Sequence, residues 1–252
     1  MILKDQLGQQ INVIPPLTKI ISVVPSHTEL LVDFFGIKNL IGRTKFCIHP
    51  KEVIENVPII GGTKQLKIDK ILALKPDIIF ANKEENKKQD IEVLQKQITV
   101  YISDISSLKD SYAFIKQLGK ISDNHTLAET IIQQTNQTLA KHTFREKKTA
   151  AYLIWKNPYM SVGSDTYIHD IMQRLGFENI FQHKLRYPKT DIEEIKILKP
   201  DVILLSSEPY PFKQFDIQEL GELFPTTTIQ LVDGEFFSWY GSRILKLQSL
   251  YK

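Results

Sequence analysis

This chain of 252 residues lacks the features that mark several large protein classes. It has one cysteine, Cys47, so no intramolecular disulfide can form. Basic residues number 32 against 29 acidic ones, and no basic stripe interleaved with aromatics stands out, so we predict no nucleic-acid partner. A GxGxxG turn, a P-loop and a GxSxG elbow are all missing, which removes the usual anchors of nucleotide and hydrolase sites.

Long apolar runs are missing as well. Residues 1–11 interrupt every apolar stretch with a charge or an amide, so they hold no signal-peptide core, and no later stretch is long enough to span a bilayer. Taken by itself, this pattern predicts a protein that stays in the cytoplasm if its N-terminus is native.

Two stretches of the chain repeat one another. Residues 68–80 read IDKILALKPDIIF and residues 192–204 read IEEIKILKPDVIL, and a second echo pairs residues 35–41 with 175–181 in the same order. In both Lys-Pro-Asp stretches apolar residues recur at helical spacing, proline ends the pattern, and a β-branched apolar strand follows at once. We therefore predict a duplicated chain with two lobes of related design and a ligand cleft between them.

Strand and helix patterns alternate through both halves. A hairpin over residues 2–14 is predicted to turn near Gly8, and a Ser-x-x-Glu capping box at Ser26 to open the first long helix. Apolar runs predict further strands at 19–24, 39–43, 77–82, 99–103, 149–155, 201–206 and 228–232. This alternation is typical of parallel sheets covered by helices.

A helical pattern fills residues 106–143, with a break near 122–124. Its second segment could run about 20 residues, or roughly 30 Å, which is long enough to join two lobes. The predicted class is α/β, with two Rossmann-like lobes, each around a central parallel sheet, bridged by one long backbone helix. The predicted divisions are an N-terminal lobe at 1–105, a helical segment at 106–146 and a C-terminal lobe at 147–252.

Ligands of open α/β sheets bind at the carboxyl ends of the strands, so the loops after the strands are candidate binding segments. Aromatic and small polar residues dominate four such loops, at 25–27, 43–50, 155–159 and 233–240, and two segments just before the repeated helices, at 61–65 and 184–188. Such loops suit a large planar or semi-polar ligand. The alternative is that aromatics such as Trp155 and Trp239 belong to the core.

Cys47 and His49 have a Cys-x-His spacing, and His27 and His183 would join them if their loops face one cleft. Thiolate and imidazole groups are ligands for a transition metal. A buried cysteine and hydrogen-bonded histidines explain the same residues without a metal. Cys47 as a nucleophile with His49 as its base is a weaker hypothesis, because a strand would put both on one face but no third orienting group is evident.

Asp69 and Glu193 stand at equivalent positions, each in the first turn of a repeated helix. A carboxylate there complements the helix dipole. The alternative, which is compatible with the first, is a matched pair of docking charges, one per lobe, that engage two arginines on a two-fold partner.

Several of these segments together resemble a known family. Residues 19–30 (KIISVVPSHTEL), 42–50 (GRTKFCIHP), 237–244 (FSWYGSRI) and both Lys-Pro-Asp stretches are similar to the helical-backbone substrate-binding proteins of ABC importers, closest to the periplasmic cobalamin-binding branch. The match covers nearly the whole chain. It implies two α/β lobes bridged by one long helix and capture of cobalamin, an iron–siderophore or haem between them. It also implies an extracytoplasmic location, with neither catalysis nor a cofactor of the protein's own.

Carried over position by position, the resemblance implies a set of ligand contacts on the loops. These are Phe46 or His49, Tyr159, Tyr187, and Phe236 or Phe237, with His27, Thr63 and Trp239 beside them. Asp69 and Glu193 match the acidic residues that meet an arginine of the ABC permease dimer. The cobalamin branch tends to have tryptophan where this chain has Thr63, and Asp69 is shorter than the usual glutamate.

Three functions are weighed on these grounds. The first is a monomeric binding protein for a metal chelate, a corrinoid before a siderophore or haem, that delivers it to an ABC permease. The second is a protein of the same fold that binds a bare transition-metal ion through His27, Cys47, His49 and His183. The third is a cytosolic enzyme or cofactor carrier that reuses the scaffold, since fold does not fix function.

Overall fold

The computed structural model of the chain describes residues 1–144, 146–246 and 249–251. Its residues group into two units. Unit 1 comprises Met1–Ile105, Lys109–Gln133 and Tyr240–Arg243, and unit 2 comprises Ser106–Leu108, Gln134–Trp239 and Ile244–Lys252. In the described part of the chain, no helix combines the length and the apolar character that crossing a membrane requires.

Unit 1 is built from eight strands with helices between them. Its strands are β1 (Ile2–Lys4), β2 (Gln10–Asn12), β3 (Ile20–Ser22), β4 (Leu40–Arg43), β5 (Gly61–Gly62), β6 (Gln65–Leu66), β7 (Ile78–Asn82) and β8 (Val100–Ser103). Its helices are α1 (Pro25–Phe35), α2 (Lys51–Ile54), α3 (Ile68–Leu74), α4 (Lys88–Gln95) and α5 (Leu108–Ile121), with a 3₁₀ turn at Ile37–Asn39. The next helix, α6 (His125–His142), contributes its residues up to Gln133 to this unit.

Unit 2 takes the rest of α6 and repeats the alternation. Its strands are β9 (Lys148–Leu153), β10 (Tyr159–Met160), β11 (Phe177–Asn179), β12 (Lys189–Thr190), β13 (Val202–Ser206) and β14 (Thr228–Val232). Its helices are α7 (Tyr167–Arg174), α8 (Ile192–Leu198), α9 (Gln214–Leu223), α10 (Gly234–Ser238) and α11 (Arg243–Lys246).

Each unit has one four-stranded parallel sheet, and the two sheets share a topology. The strand order is β4-β3-β7-β8 in unit 1 and β11-β9-β13-β14 in unit 2. Counted along the chain, both orders read second, first, third, fourth. The predicted α/β class with a parallel sheet in each lobe is therefore confirmed.

The central strands are buried on both faces. Every residue of β7 and of β13 is buried, which is the pattern expected where helices cover a parallel sheet on both sides. In unit 1 Ile79 packs in one cluster with Ile71 of α3 and Leu94 of α4. In unit 2 Leu205 packs with Ile195 of α8 and other residues of its own cluster. The two repeated helices thus supply the same core position in each unit.

The Lys-Pro-Asp motif ends its helix in the same way in both units. After the last helical residue, Lys75 has a φ of 48° and Lys199 a φ of 45°. This left-handed conformation costs an L-residue about 1–2 kcal/mol. The helices therefore end two residues before proline, and the lysine between them reverses the chain direction.

The aspartate of each motif then ties two strands together. Asp77 Oδ2 accepts hydrogen bonds from the backbone N–H of Thr18 (2.8 Å) and of Lys19 (2.9 Å), just before β3. Asp201 Oδ2 accepts them from the backbone N–H (2.8 Å) and the hydroxyl (2.7 Å) of Thr149, in β9. We call these contacts the strand clamps, because each joins the third strand of a sheet to the first.

The N-terminal hairpin and the start of α1 test two local predictions. β1 and β2 pair as an antiparallel hairpin with Gly8 at a φ of 80°, as predicted. The capping box at Ser26 is wrong: α1 begins at Pro25, its N-cap is Val24, and no side chain caps it. Proline fits the first helical position, so the helix starts two residues earlier than a cap at Ser26 would place it, and Ser26 lies inside it.

Candidate functional site

The carboxyl ends of the parallel strands form one edge of each sheet, where ligands of α/β proteins usually bind. Edge 1 denotes the segments that follow the strands of unit 1, at 23–27, 44–50, 83–87 and 104–105. Edge 2 denotes those of unit 2, at 154–160, 180–188, 207–215 and 233–239, where the third segment includes the first two residues of α9.

A buried polar network lies beneath edge 1. His27, in the first turn of α1, is fully buried, and its Nε2 lies 3.0 Å from Ser103 Oγ and 2.8 Å from the Tyr240 hydroxyl. Asn82 Nδ2 donates to the same Ser103 Oγ at 2.8 Å. Burial lowers the pKa of His27 to about 3, so the imidazole is neutral near pH 7. The prediction that His27 contacts the ligand is corrected, because its ring is enclosed in the core.

Two asparagines shape the surface above this network. Asn82 Oδ1 accepts from the backbone N–H of Glu84 (2.8 Å) and of Glu85 (3.1 Å). Asn86 Nδ2 donates to the carbonyl of Thr63 at 3.0 Å and so fixes the β5–β6 hairpin. Sequence reasoning missed both asparagines. The available signal for Asn82 was a polar residue at the end of the otherwise apolar strand β7.

The loop after β4 is held from inside by Arg43. Its Nε donates to the carbonyl of Ile54 at 2.9 Å and its Nη1 to that of Cys47 at 3.1 Å. Cys47 is fully buried with Sγ 3.1 Å from Thr44 Oγ1, and burial raises the pKa of its thiol. His49 is buried too, and both lie on a loop, not on a strand as predicted. The nucleophile hypothesis and the ligand contact at His49 are corrected, because neither side chain is accessible.

Phe46 and Thr63 are the predicted residues of unit 1 that reach its surface. Phe46 is 49% exposed, and the Lys45 ammonium lies 4.9 Å above its ring. A Cβ on Gly62 would stand 3.3 Å from the Phe46 ring, so the glycine lets the hairpin lie close to it. Thr63 is half-buried at the hairpin's turn. Both stay predicted ligand contacts.

Edge 2 carries a group of accessible aromatic side chains. Trp155 is 41% exposed and stands T-shaped on Tyr210, with ring centroids 5.7 Å apart. Phe215 is 54% exposed, and Tyr159 is half-buried at the start of β10. The sequence marked the Trp155 loop and Tyr159, but missed Tyr210 and Phe215. The run of alternating proline and aromatic residues at 209–212 was the signal for the first of these.

Cations accompany the aromatic rings of edge 2. The Lys156 ammonium lies 5.3 Å from the Phe215 ring, and is held at 2.8 Å by Asp216 Oδ1. Arg186 lies 5.6 Å from the ring of Tyr187, which is 38% exposed. Tyr159 and Tyr187 therefore stay predicted contacts, each beside a positive charge or a fixed ion pair.

Three predicted contacts of unit 2 are core residues instead. Phe236 and Phe237 are buried, and Phe237 packs on Tyr152 with ring centroids 4.8 Å apart. Trp239 is 8% exposed, and its Nε1 donates to Glu208 Oε1 at 2.7 Å. Burial raises the pKa of Glu208. These aromatics are corrected to supporting residues, because Phe236 and Phe237 of α10 are buried and Trp239, the residue after α10, is bonded to Glu208.

The bare-ion site is not assembled. Across residues 1–144, 146–246 and 249–251, no group of three or more His, Cys, Asp or Glu side chains is placed to hold a metal ion. His183 is exposed after β11, whereas His27, Cys47 and His49 are enclosed in unit 1. The alternative that these four residues ligate an ion is therefore wrong.

Asp69 and Glu193 occupy the second position of α3 and of α8, and both are exposed. Glu193 Oε1 lies 3.1 Å from the Lys196 ammonium one turn later, and its side chain is 77% exposed. This accessibility is compatible with both the helix-dipole interpretation and the docking hypothesis.

The chain is similar to known proteins in sequence and in fold. A family model described as periplasmic binding protein matches residues 20–223. The vitamin B12-binding protein of Vibrio parahaemolyticus is 25% identical over 197 residues, or 76% of this chain and 71% of that protein. The solved periplasmic vitamin B12-binding protein of Vibrio cholerae gives a TM-score of 0.74 at 20% identity and covers 92% of this chain and 93% of its own. A periplasmic haem-binding protein from Pseudomonas aeruginosa gives 0.76 at 18% identity, covering 90% and 88%. These likenesses establish a shared fold.

Proposed function

The chain belongs to the periplasmic binding protein family, which consists of substrate-binding proteins and not enzymes, and from that premise we propose that it serves an ABC importer by capturing a metal chelate. A corrinoid is the first candidate, and a siderophore or haem the next. The alternative of a cytosolic enzyme is excluded, because the family consists of substrate-binding proteins.

The observation that carries the proposal is the set of accessible aromatic side chains at the two edges. Phe46, Trp155, Tyr187 and Phe215 expose between 38% and 54% of their surface. Large aromatic groups left partly in water at the ligand-binding end of a sheet mark a recognition surface. Their faces can stack on a flat conjugated ring and lose little conformational entropy in doing so.

The cations beside these rings favour a ligand that is flat and also carries an anionic group. Phe46, Tyr187 and Phe215 each have a Lys or Arg side chain within 4.9–5.6 Å of the ring. The phosphodiester of a corrinoid's nucleotide loop and the propionates of haem both meet this description. Opposite charge at a binding surface supplies orientation and a faster encounter.

The relatives favour a corrinoid over haem. The Vibrio parahaemolyticus relative is named for vitamin B12 and aligns with 76% of this chain. A chelated metal also brings most of its ligands with it, so capture does not require a cluster of protein ligands. The described residues contain no such cluster.

The test is an equilibrium titration with four ligands, in which calorimetry measures the binding. Cyanocobalamin, the nucleotide-free corrinoid cobinamide, haemin and a ferric hydroxamate are added separately to the full chain. We expect saturable binding of cyanocobalamin, weaker binding of cobinamide, and little of the other two. If only haemin or only the hydroxamate bound, the ligand would be haem or a siderophore instead of a corrinoid, and chelate capture would stand. Binding of none of the four would refute chelate capture.

A pair of variants separates the stacking surface from general stability. Trp155→Ala removes the largest exposed ring and should weaken corrinoid binding roughly tenfold to a hundredfold, since stacking and burial of such a ring contribute about 1.5–3 kcal/mol. Ile197→Ala removes a 78% exposed apolar side chain of the same unit, on α8 and outside edge 2. It should leave the affinity unchanged. Equal affinities for the two variants would exclude Trp155 from the site.

The same proposal covers location and partner. The family is periplasmic, which supports an extracytoplasmic place of action. Asp69 and Glu193 are proposed to meet one arginine each on the importer's permease dimer, because they are exposed and hold equivalent positions on the two repeated helices.

A further inference from the structure

Glu208 is the first charged residue after β13, and it lies in the middle of edge 2. In the sheet β13 stands between β9 and β14, so the segment after it is flanked by the Trp155 loop on one side and by α10 on the other. On the first side, the backbone N–H of Tyr210 donates to the carbonyl of Ile154 at 3.3 Å, and the Tyr210 ring contacts that of Trp155. Glu208 thus lies between an accessible aromatic pair and α10.

One carboxylate oxygen of Glu208 is fixed from the α10 side. Oε1 accepts hydrogen bonds from Ser238 Oγ (2.9 Å) and from Trp239 Nε1 (2.7 Å). Gly234 makes room for the side chain, because a Cβ at that position would stand 2.5 Å from Glu208 Cγ. Since two hydrogen bonds hold one oxygen, the other oxygen has a defined position as well.

The second oxygen, Oε2, has no partner. Among the described residues, none donates a hydrogen bond to Oε2 and none forms an ion pair with Glu208. The side chain is half-buried, and Oε2 is not one of the enclosed polar atoms of the described chain, so it is accessible at edge 2.

An accessible carboxylate without a cation is a selective contact. It accepts hydrogen bonds from N–H groups and repels the carboxylates of a ligand. Burial raises the pKa of Glu208, and the negative charges of Glu235 and Asp233 add to the shift. A ligand group at this position is therefore more favourable as a neutral donor than as an anion.

We propose that Glu208 is a specificity-determining residue that accepts a hydrogen bond from a primary amide on the rim of a corrinoid. The inference rests on the proposed chelate capture. Corrinoids carry primary amides around their ring, whereas haem carries carboxylates, so a contact at Oε2 selects a corrinoid over haem.

The anionic group of such a ligand then belongs elsewhere on edge 2. Arg186, beside the Tyr187 ring, lies on the segment after β11. That strand is two positions from β13 in the sheet, which corresponds to about 10 Å. Edge 2 therefore separates a place for an amide from a place for a phosphodiester.

The first experiment is calorimetric titration of the full chain with cyanocobalamin and with its separate monocarboxylic acids. In each acid one rim amide is hydrolysed to a carboxylate, and the rest of the molecule is unchanged. We expect the acid altered at the Glu208 contact to bind at least about tenfold more weakly than cyanocobalamin, because a donor is replaced by a like charge. The remaining acids should lose less affinity.

Two variants distinguish a local contact from a general effect of charge. Glu208→Gln keeps an oxygen that can accept from Ser238 and Trp239, but replaces the other oxygen by an NH₂ group that can donate to a ligand carboxylate. This variant should bind cyanocobalamin severalfold more weakly and the discriminated acid more tightly, so that the two affinities agree within about threefold. Glu222→Gln removes an exposed carboxylate of α9 outside edge 2, and should keep the preference of the wild type.

Several results would overturn the inference while chelate capture stands. They are equal binding of cyanocobalamin and every acid by the wild type, an unchanged preference in Glu208→Gln, an equal change in Glu222→Gln, and binding of haemin in place of any corrinoid. A purely structural role for Glu208 predicts the unchanged preference, because a disturbed α10 would weaken both ligands alike. Binding of no chelate would refute the proposed function, and the inference with it.

Discussion

Replacing His27 should change how the stability of the protein depends on pH. The pKa of His27 is lowered from 6.5 to about 3 by burial, so unfolding releases an imidazole that takes up a proton below pH 6.5. For such a depressed pKa the stabilisation is complete above pH 6.5 and is lost as pH falls toward 3. The slope is about 1.4 kcal/mol per pH unit. Between about pH 7.5 and 5 the loss amounts to about 2 kcal/mol.

The assay is urea denaturation at these two pH values for the wild type and for His27→Gln. Glutamine keeps a polar group near Ser103 and Tyr240 but does not titrate, so the variant should lose about 2 kcal/mol less than the wild type on acidification. Burial lowers the pKa of His169 as well, but its effect is common to both proteins and cancels in the difference. The same pH dependence in both proteins would show that His27 is protonated or accessible in the folded state, which would refute the network described here.

Other parts of the molecule yield tests of the same kind. Asp201→Ala removes a strand clamp and should lower the free energy of unfolding, measured by urea denaturation, by about 1 kcal/mol, because the hydrogen bonds are charge-assisted but exposed. Hydrogen bonding lowers the pKa of Asp201, so the effect should fade as pH falls below about 4. Lys156→Met leaves the buried Asp216 carboxylate without its 2.8 Å partner and should lower the stability of the folded protein by about 3 kcal/mol, measured by thermal melting. An unchanged melting temperature would contradict the ion pair. Reversing the charge at Asp69 and Glu193 together should reduce chelate uptake at least about tenfold while calorimetry gives the same affinity, and normal uptake would exclude both from docking.

The sequence predicted the elements that local pattern determines. Both Lys-Pro-Asp stretches form a short helix, a reversal and a buried strand, because apolar spacing, proline and β-branched residues act over a few positions. The duplication predicted two lobes of related design, and the two sheets have the same strand order. The clamps at Asp77 and Asp201 were not predicted, since their partners lie more than 50 residues away in the sequence.

The loops were harder for the same reason. His27 is enclosed by a tyrosine 213 residues later, and no local pattern distinguishes that outcome from an exposed histidine at a strand end. Phe236 and Phe237 lie on a loop-like segment that folds into the short helix α10 and turns inward. Phe215, by contrast, is accessible although no local pattern marked it. The sequence indicated which aromatic and polar residues lie at the edges. It did not show which of their side chains face the solvent, because that depends on long-range packing.

The return of Tyr240–Arg243 to unit 1 has a consequence for the order in which the protein matures during translation. The Tyr240 hydroxyl, which lies 2.8 Å from His27 Nε2, is translated 213 residues after that histidine and after all four strands of the second sheet. Until then, a nascent N-terminal half lacks one hydrogen-bond partner of this buried imidazole. A segment made after the sheet of unit 2 thus adds a contact to the core of unit 1.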